Sequence, residues 1–244
     1  MSVKTTAGSN GDEQRGNIPL SETVSREILA HIHNNRLQVG AVLPSETALS
    51  DKLGISRGIV REAVRGLSNL GIVEVGNGRR PRVGSVNGAV LALLTDYAVQ
   101  TEQVSVQQTL DVRRVLEVRA AYLAALHRNA AEARAIMKTA AKLESAIGDF
   151  DLMTKFDIEF HIQIADASRN PLLRLQIEAF RYVIERTGPI GWQIRPTSEA
   201  VDRQVSIHGE IARAIEANNA PLASDLMSRH FTDTVAVLSQ AGFN

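Results

Sequence analysis

The sequence predicts a mainly α fold in two parts: a head of three helices and a two-stranded hairpin, then an all-α bundle of six or seven helices. Three observations carry that expectation. Between residues 17 and 83, short apolar runs at helical spacing give way to a Gly-Asn-Gly turn flanked by two extended segments. After Val83 the apolar pattern is helical throughout, with no alternating run of useful length. A length of 244 residues accommodates two modest domains at roughly 100–200 residues each.

Residues 1–16 are rich in Gly, Ser, Thr and Asn and carry no periodicity, so they read as a disordered tail. Ser21 is placed to cap a first helix, with Glu22 in its first turn and Val24, Ile28, Leu29 and Ile32 as its apolar stripe. Ser45 caps a short second helix that runs to Leu53 and stops at Gly54. Ser56 caps a third, with Val60, Val64 and Leu67 inward and Gly71 as its stop. Ile72 to Val75 and Arg79 to Val83 are the strands of a hairpin turning at Gly76-Asn77-Gly78. Gly84 to Gly88 reads as a linker between a head at 17–83 and a body at 89–244. The body divides into helical stretches at roughly 88–100, 106–128, 130–147, 150–168, 171–187, 197–218 and 220–241. Gly148, Asn170-Pro171, Gly188-Pro189, Pro196 and Pro221 punctuate them.

Composition narrows the function classes. There is no cysteine, which excludes disulfide scaffolds, thiolate zinc sites and cysteine nucleophiles. The first 16 residues lack the apolar core of a signal peptide, and no run of about 18 apolar residues occurs. A cytoplasmic protein with no membrane partner is the expectation. Aromatics make up 4%, too few for base stacking along a single strand. Charges balance at 27 basic and 27 acidic, yet unevenly. Residues 17–83 hold nine basic side chains against six acidic; residues 84–244 hold 16 against 19. A basic head on an acidic body places a polyanion partner at the head.

Arg57, Arg61 and Arg65 recur every fourth residue, on the face of the third helix opposite Val60, Val64 and Leu67. That helix follows a short one across a three-residue turn, the spacing of a helix-turn-helix whose second helix enters the DNA major groove. An arginine there can bind guanine bidentately or hold a phosphate. Arg79, Arg80 and Arg82 lie on the hairpin tip and return strand, as a basic wing reaching outward to the DNA backbone or minor groove. A solvated arginine stripe is the alternative for the helix alone. Gly76-Asn77-Gly78 opens no helix and lacks a third glycine, so it is no nucleotide loop.

The stretch LPSETALSDKLGISRGIVREAVRGLSNLGIVEV, residues 43–75, resembles the winged-helix head of the GntR family of bacterial transcription regulators. The wing NGRRPRV is similar to that of the FadR-type subfamily. The resemblance implies DNA contacts from Ser56, Arg57 and Arg61 and from wing residues Asn77, Gly78 and Arg79; Ser45, Thr47 and Arg65 complete the candidate set. Thr47 stands where many relatives carry arginine, and Gly58 and Ile59 replace small hydroxyl residues, so the operator need not be a familiar one. A homodimer on a palindromic operator is expected, because two-fold symmetry doubles the few base pairs that one helix reads.

In the body, Asp157 and His161 lie four apart on one helix, and His208 and His230 lie on two others. A carboxylate and three imidazoles from facing helices can hold a divalent metal such as zinc, nickel, manganese or iron. The spacing alone equally admits a salt-bridged helix pair and two scattered histidines. FDIEFHIQIADASRNPLL (156–173), DVRRVLEVRAAYLAA (111–125) and IHGEIARAIEANNAPLASDLMSRHF (207–231) resemble the FCD effector domain. That resemblance implies one divalent metal on Asp157, His161, His208 and His230, and a small organic acid rather than an acyl-CoA as effector. It also aims Arg113, of the Arg113–Glu117 pair, at the effector cavity, where a guanidinium suits a carboxylate; Asn170 is a further candidate, with Arg181 and Arg186 behind it. Hydroxy acids, sugar acids and di- or tricarboxylates all fit. The expected protein is thus a ligand-responsive regulator, a repressor, and not an enzyme. The alternatives are a hydrolase-type metal enzyme and an architectural protein that coats DNA.

Overall fold

A computed structural model describes residues 19–76, 79–195 and 197–243. The chain divides into two compact units, one ending at Val86 and one beginning at Asn87.

The first unit holds α1 (Leu20–Asn34), α2 (Glu46–Leu53) and α3 (Arg57–Asn69), then β1 (Val73–Glu74) and β2 (Arg82–Val83). Helix α1 starts one residue before Ser21. Pro19 occupies the capping position and its carbonyl accepts from Thr23, so Ser21 is a helical residue and not the cap. Ser45 and Ser56 do cap α2 and α3, accepting from the amides of Ala48 and Ile59 at 3.1 and 3.5 Å. Gly54 ends α2 at φ +64°, where a side chain would be strained. Val24, Ile28, Leu49, Val60, Val64 and Leu67 close one small core; Leu29 lies outside it, 41% exposed.

The strands are shorter than expected, two residues each in antiparallel register Val73↔Val83 and Glu74↔Arg82. A third segment compensates: Gly40 and Leu43 donate to Val83 and Pro81, and Val83 donates to Ala41. The predicted turn residues Asn77 and Gly78 lie outside the described residues.

The second unit is helical: α4 (Ala89–Gln100), α5 (Val106–His127), α6 (Ala130–Ser145), α7 (Phe150–Ala167), α8 (Pro171–Glu178), α9 (Arg181–Gln193), α10 (Ser198–Glu216) and α11 (Ala220–Gln240). Among the described residues it therefore has eight helices, because the stretch 171–187 splits. Ala179 and Phe180 donate to residues three back, which tightens the end of α8, and both are buried at the corner. Helix α9 then runs through Gly188-Pro189, which the sequence marks as a stop. Packing decides this: a Cβ on Gly188 would lie 2.6 Å from Cγ2 of Thr154, so the two helices touch there. Helix α5 packs between α7, α10 and α11, around Phe160, Ile164, Ile211, Ile215, Met227 and Phe231.

The segment 84–88, read as a linker, is anchored at both ends. Gly84 donates to Ile72 within the first unit, and a Cβ on it would meet the Gly71 carbonyl at 2.2 Å. Gly88 donates to the Glu178 carboxylate within the second unit, at 3.0 Å. Ser85, Val86 and Asn87 are the exposed residues between them.

Candidate functional sites

On the first unit, Arg57, Arg61 and Arg65 stand exposed on one side of α3. Arg61 is held by Glu46 at 3.2 Å, so the α2 carboxylate orients the α3 guanidinium. Arg57 and Arg65 carry no ion pair among the described residues. Ser45 and Ser56 combine capping with a place beside this face, and Thr47 is exposed on the first turn of α2. The wing arginines separate in role. Arg80 donates twice to the Leu43 carbonyl, at 2.8 and 3.1 Å, and Arg82 donates to the Gly40 carbonyl at 2.7 Å. Both grip the protein's own backbone, which corrects the reading of three arginines reaching outward; Arg79 is exposed and makes neither contact.

In the second unit, α7, α10 and α11 bring Asp157, His161, His208 and His230 together. One ligand atom from each lies within 4.8 Å of the others, and all four side chains are buried. Each histidine has a distinct support. The Gln204 carbonyl lies 2.8 Å from Nδ1 of His208 and can only accept, so it places the proton on Nδ1. The lone pair of Nε2 then faces Oδ1 of Asp157 at 3.0 Å. Two electron-rich atoms at that separation require a cation between them, either a proton or a metal. The Glu117 carboxylate lies against Nδ1 of His161, which leaves Nε2 of that ring buried without a hydrogen-bond partner. The Gln204 side-chain Nε2 lies 2.8 Å from Nδ1 of His230 and 3.1 Å from Oγ1 of Thr234, so the amide donates to that ring and holds it in place. The donor set and the orphaned nitrogen fit a divalent ion.

Electrostatics agree. Burial alone would raise the Asp157 carboxyl, but His161 and His208, and then His230, outweigh it and hold the group well below the usual carboxylate range. Burial first, and then the neighbouring His208 and His161, pushes His230 well below the ordinary imidazole value, so it is neutral and able to ligate. Glu117 is lowered too, as Arg113 and His161 overcome its burial.

A cavity of about 50 Å³ adjoins the cluster, bounded by Asp157, His230, Gln204, Thr234, Arg113 and Arg195. Arg113 donates from Nε to Glu117 at 2.8 Å and lies over the Phe231 ring at 5.1 Å; its Nη2 is buried without a partner. The pair is thus both an i,i+4 ion pair and a cation presented to the cavity. Asn170 is not part of this site. It is exposed, and its Oδ1 accepts from Leu172 and Leu173 as the cap of α8, which the following proline favours. Arg181 and Arg186 are likewise elsewhere, paired with Glu178 and Asp96. Gln204 and Arg195 have no forerunner in the sequence reading. Gln204 sits four residues before His208, a spacing that could have singled it out; Arg195 follows α9 and carries no periodic signal.

An exposed arginine helix with a basic hairpin, and a separate helical unit with a buried metal-type cluster, define the class of regulators that join a DNA reader to a sensing domain. Residues 20–83 match the family described as bacterial regulatory proteins, gntR family, and residues 108–233 match the FCD domain. The chain is 32% identical to the HTH-type transcriptional regulator LutR of Bacillus subtilis (strain 168), over 85% of this chain and 96% of that protein. It is also 32% identical to the Glc operon transcriptional activator of Escherichia coli (strain K12), over 69% of this chain and 67% of that one. A solved structure, Streptococcus agalactiae GntR, shares the fold at a TM-score of 0.68 and 24% identity, covering 88% of this chain and 99% of that one. The chain belongs to the GntR family, in the FadR-type branch that carries an FCD effector domain, and is a transcription regulator rather than an enzyme. None of the described helices is long and apolar enough to cross a membrane.

Proposed function

We propose that the protein is a repressor that binds a palindromic operator as a homodimer and is modulated by a small carboxylic acid bound at a divalent metal in its helical unit. The observation that carries this reading is the convergence of four buried ligand-type side chains and the unpartnered Nη2 of Arg113 on one cavity. Asp157, His161, His208 and His230 would hold the metal, which when bound supplies a Lewis acid for an oxygen of the acid. Arg113 binds the carboxylate, Glu117 fixes both Arg113 and His161, and Gln204 orients His208 and His230. On the DNA side, Arg57, Arg61 and Arg65 face the groove, Ser45, Thr47 and Ser56 flank it, and exposed Arg79 makes the wing contact; Asn77 and Gly78, outside the described residues, join it as contacts that the family resemblance implies. Cavity size supports a small effector: a cavity of about 50 Å³ does not accommodate a long acyl chain. Ser85–Asn87 is the joint through which one unit influences the other, since Gly84 and Gly88 are each tied to their own side.

The test is metal content after exhaustive dialysis. Wild type and His127→Ala are expected to retain about one equivalent of divalent metal per chain, and His208→Ala to lose most of it. His127 is an exposed residue at the end of α5, so it controls for histidine number alone. Equal occupancy in the two variants would remove the basis of the proposal.

A further inference from the structure

Arg195 is built into the same cavity in the same manner as Arg113. Its side chain is 4% exposed. The guanidinium lies over the Trp192 ring at 4.8 Å, one Nη donates to the Gly191 carbonyl, and the other to Asp233 at 3.0 Å. Those contacts occupy its face and both terminal nitrogens. Nε remains, buried and without a hydrogen-bond partner, on a residue that bounds the cavity. Arg113 shows a related plan: an aromatic ring at its face, a carboxylate on one nitrogen, and a buried nitrogen, Nη2, without a partner.

Two buried, unpartnered guanidinium nitrogens at one cavity, one from each arginine, call for an acceptor at each, because a buried donor without a partner is unfavourable and a cationic donor more so. Asp233, half exposed at the surface, only partly offsets the charge of Arg195. A single carboxylate engaged by the metal cluster and Arg113 would leave Nε of Arg195 unsatisfied. We infer that the effector is a short dicarboxylate, with one carboxylate at the metal cluster and Arg113 and the second on Nε of Arg195. This deepens the effector proposal above and rests on it.

Trp192 is the only tryptophan of the chain and lies beneath Arg195, so its fluorescence reports this end of the cavity directly. The experiment titrates metal-loaded, full-length protein with L-malate and with L-2-hydroxybutyrate. These four-carbon acids share the hydroxy-acid end and differ by a second carboxylate. Wild type is expected to bind malate at least about tenfold more tightly, the effect of one added charge-assisted contact. Arg195→Gln should abolish that preference, so that the ratio of the two affinities falls to about one. Asp233→Asn, which breaks the outer ion pair but keeps the inward N–H, should preserve it; a purely structural arginine would make the two variants behave alike. Equal affinity of wild type for both acids, or a malate preference that survives in Arg195→Gln, overturns the inference. In the first of those cases, loss of both acids in Arg113→Ala would show that the effector reading stands without the second subsite. If neither acid binds metal-loaded wild type, the inference and that reading fall together.

Discussion

Residues of one type do unlike work in this chain, and neighbours decide which. Six arginines lie between residues 57 and 82; two of them spend their donors on the backbone of their own unit, and Arg61 is steered by Glu46. Replacing Arg57 by Ala should therefore cost about 1–3 kcal/mol on a specific operator if it reads a base edge, and should relax the preference at one position. Arg79→Ala should weaken all duplexes alike and reduce the salt slope by about one. Binding curves on specific and scrambled duplexes at several salt concentrations distinguish the two; identical behaviour of both variants would contradict this division. Glu117 is the corresponding case in the body. It touches His161 and Arg113 and is buried with them. Glu117→Gln should lower metal affinity about 10–100-fold without removing a ligand, as loss of an outer partner does. Chelator competition measures it, and wild-type affinity would show that Glu117 supports Arg113 alone.

Helices and turns were legible in the sequence where a local rule governs them, and less so where packing does. Ser45, Ser56 and Gly54 set α2 and α3 through contacts within four residues, and the spacing of Asp157 and His161 placed both on one helix. The break at Ala179-Phe180 and the passage of α9 through Pro189 came from neighbouring helices, which periodicity does not encode. Arg195 was hidden for the same reason: α9 had to be extended before its end could meet the cavity. Asn170 went the other way, since a proline-flanked asparagine already has a local use as a cap. The contact between α7 and α9 gives an element-level prediction. Gly188→Ala sets a methyl 2.6 Å from Cγ2 of Thr154, three residues from Asp157, and should destabilise the unit by about 1–3 kcal/mol. Adding Thr154→Ala removes the opposing methyl and hydroxyl and should restore much of the loss. Denaturant midpoints provide the reading, and an undiminished midpoint in Gly188→Ala would show that the helices part freely.

At the scale of the whole molecule, the buried cluster of Asp157, His161, His208 and His230 links stability to pH. In the metal-free protein His230 titrates well below its ordinary value of 6.5, and Asp157 well below 3.8. As pH falls through about 6.5 the unfolded chain takes up a proton that folded His230 resists, and below about 4 the same holds for Asp157. Both effects favour unfolding in acid. The melting temperature of metal-free protein should fall from about pH 7 to pH 5, and less steeply in His230→Gln; a rise over that range would contradict the assignment. Metal-loaded protein should lose its ion over the same interval, because the ligand imidazoles must be neutral.

The proposed function requires coupling between the two units. It is tested by measuring the affinity of a short dicarboxylate, L-malate, for metal-loaded protein by calorimetry, free and saturated with a duplex selected from random sequence. Coupling energies of about 1–3 kcal/mol are typical, so operator should weaken acid binding roughly 5–150-fold, and acid should weaken operator binding by the same factor. Arg113→Ala should abolish the heat of acid binding and leave operator affinity at its acid-free value. An acid affinity unchanged by saturating operator would contradict that coupling.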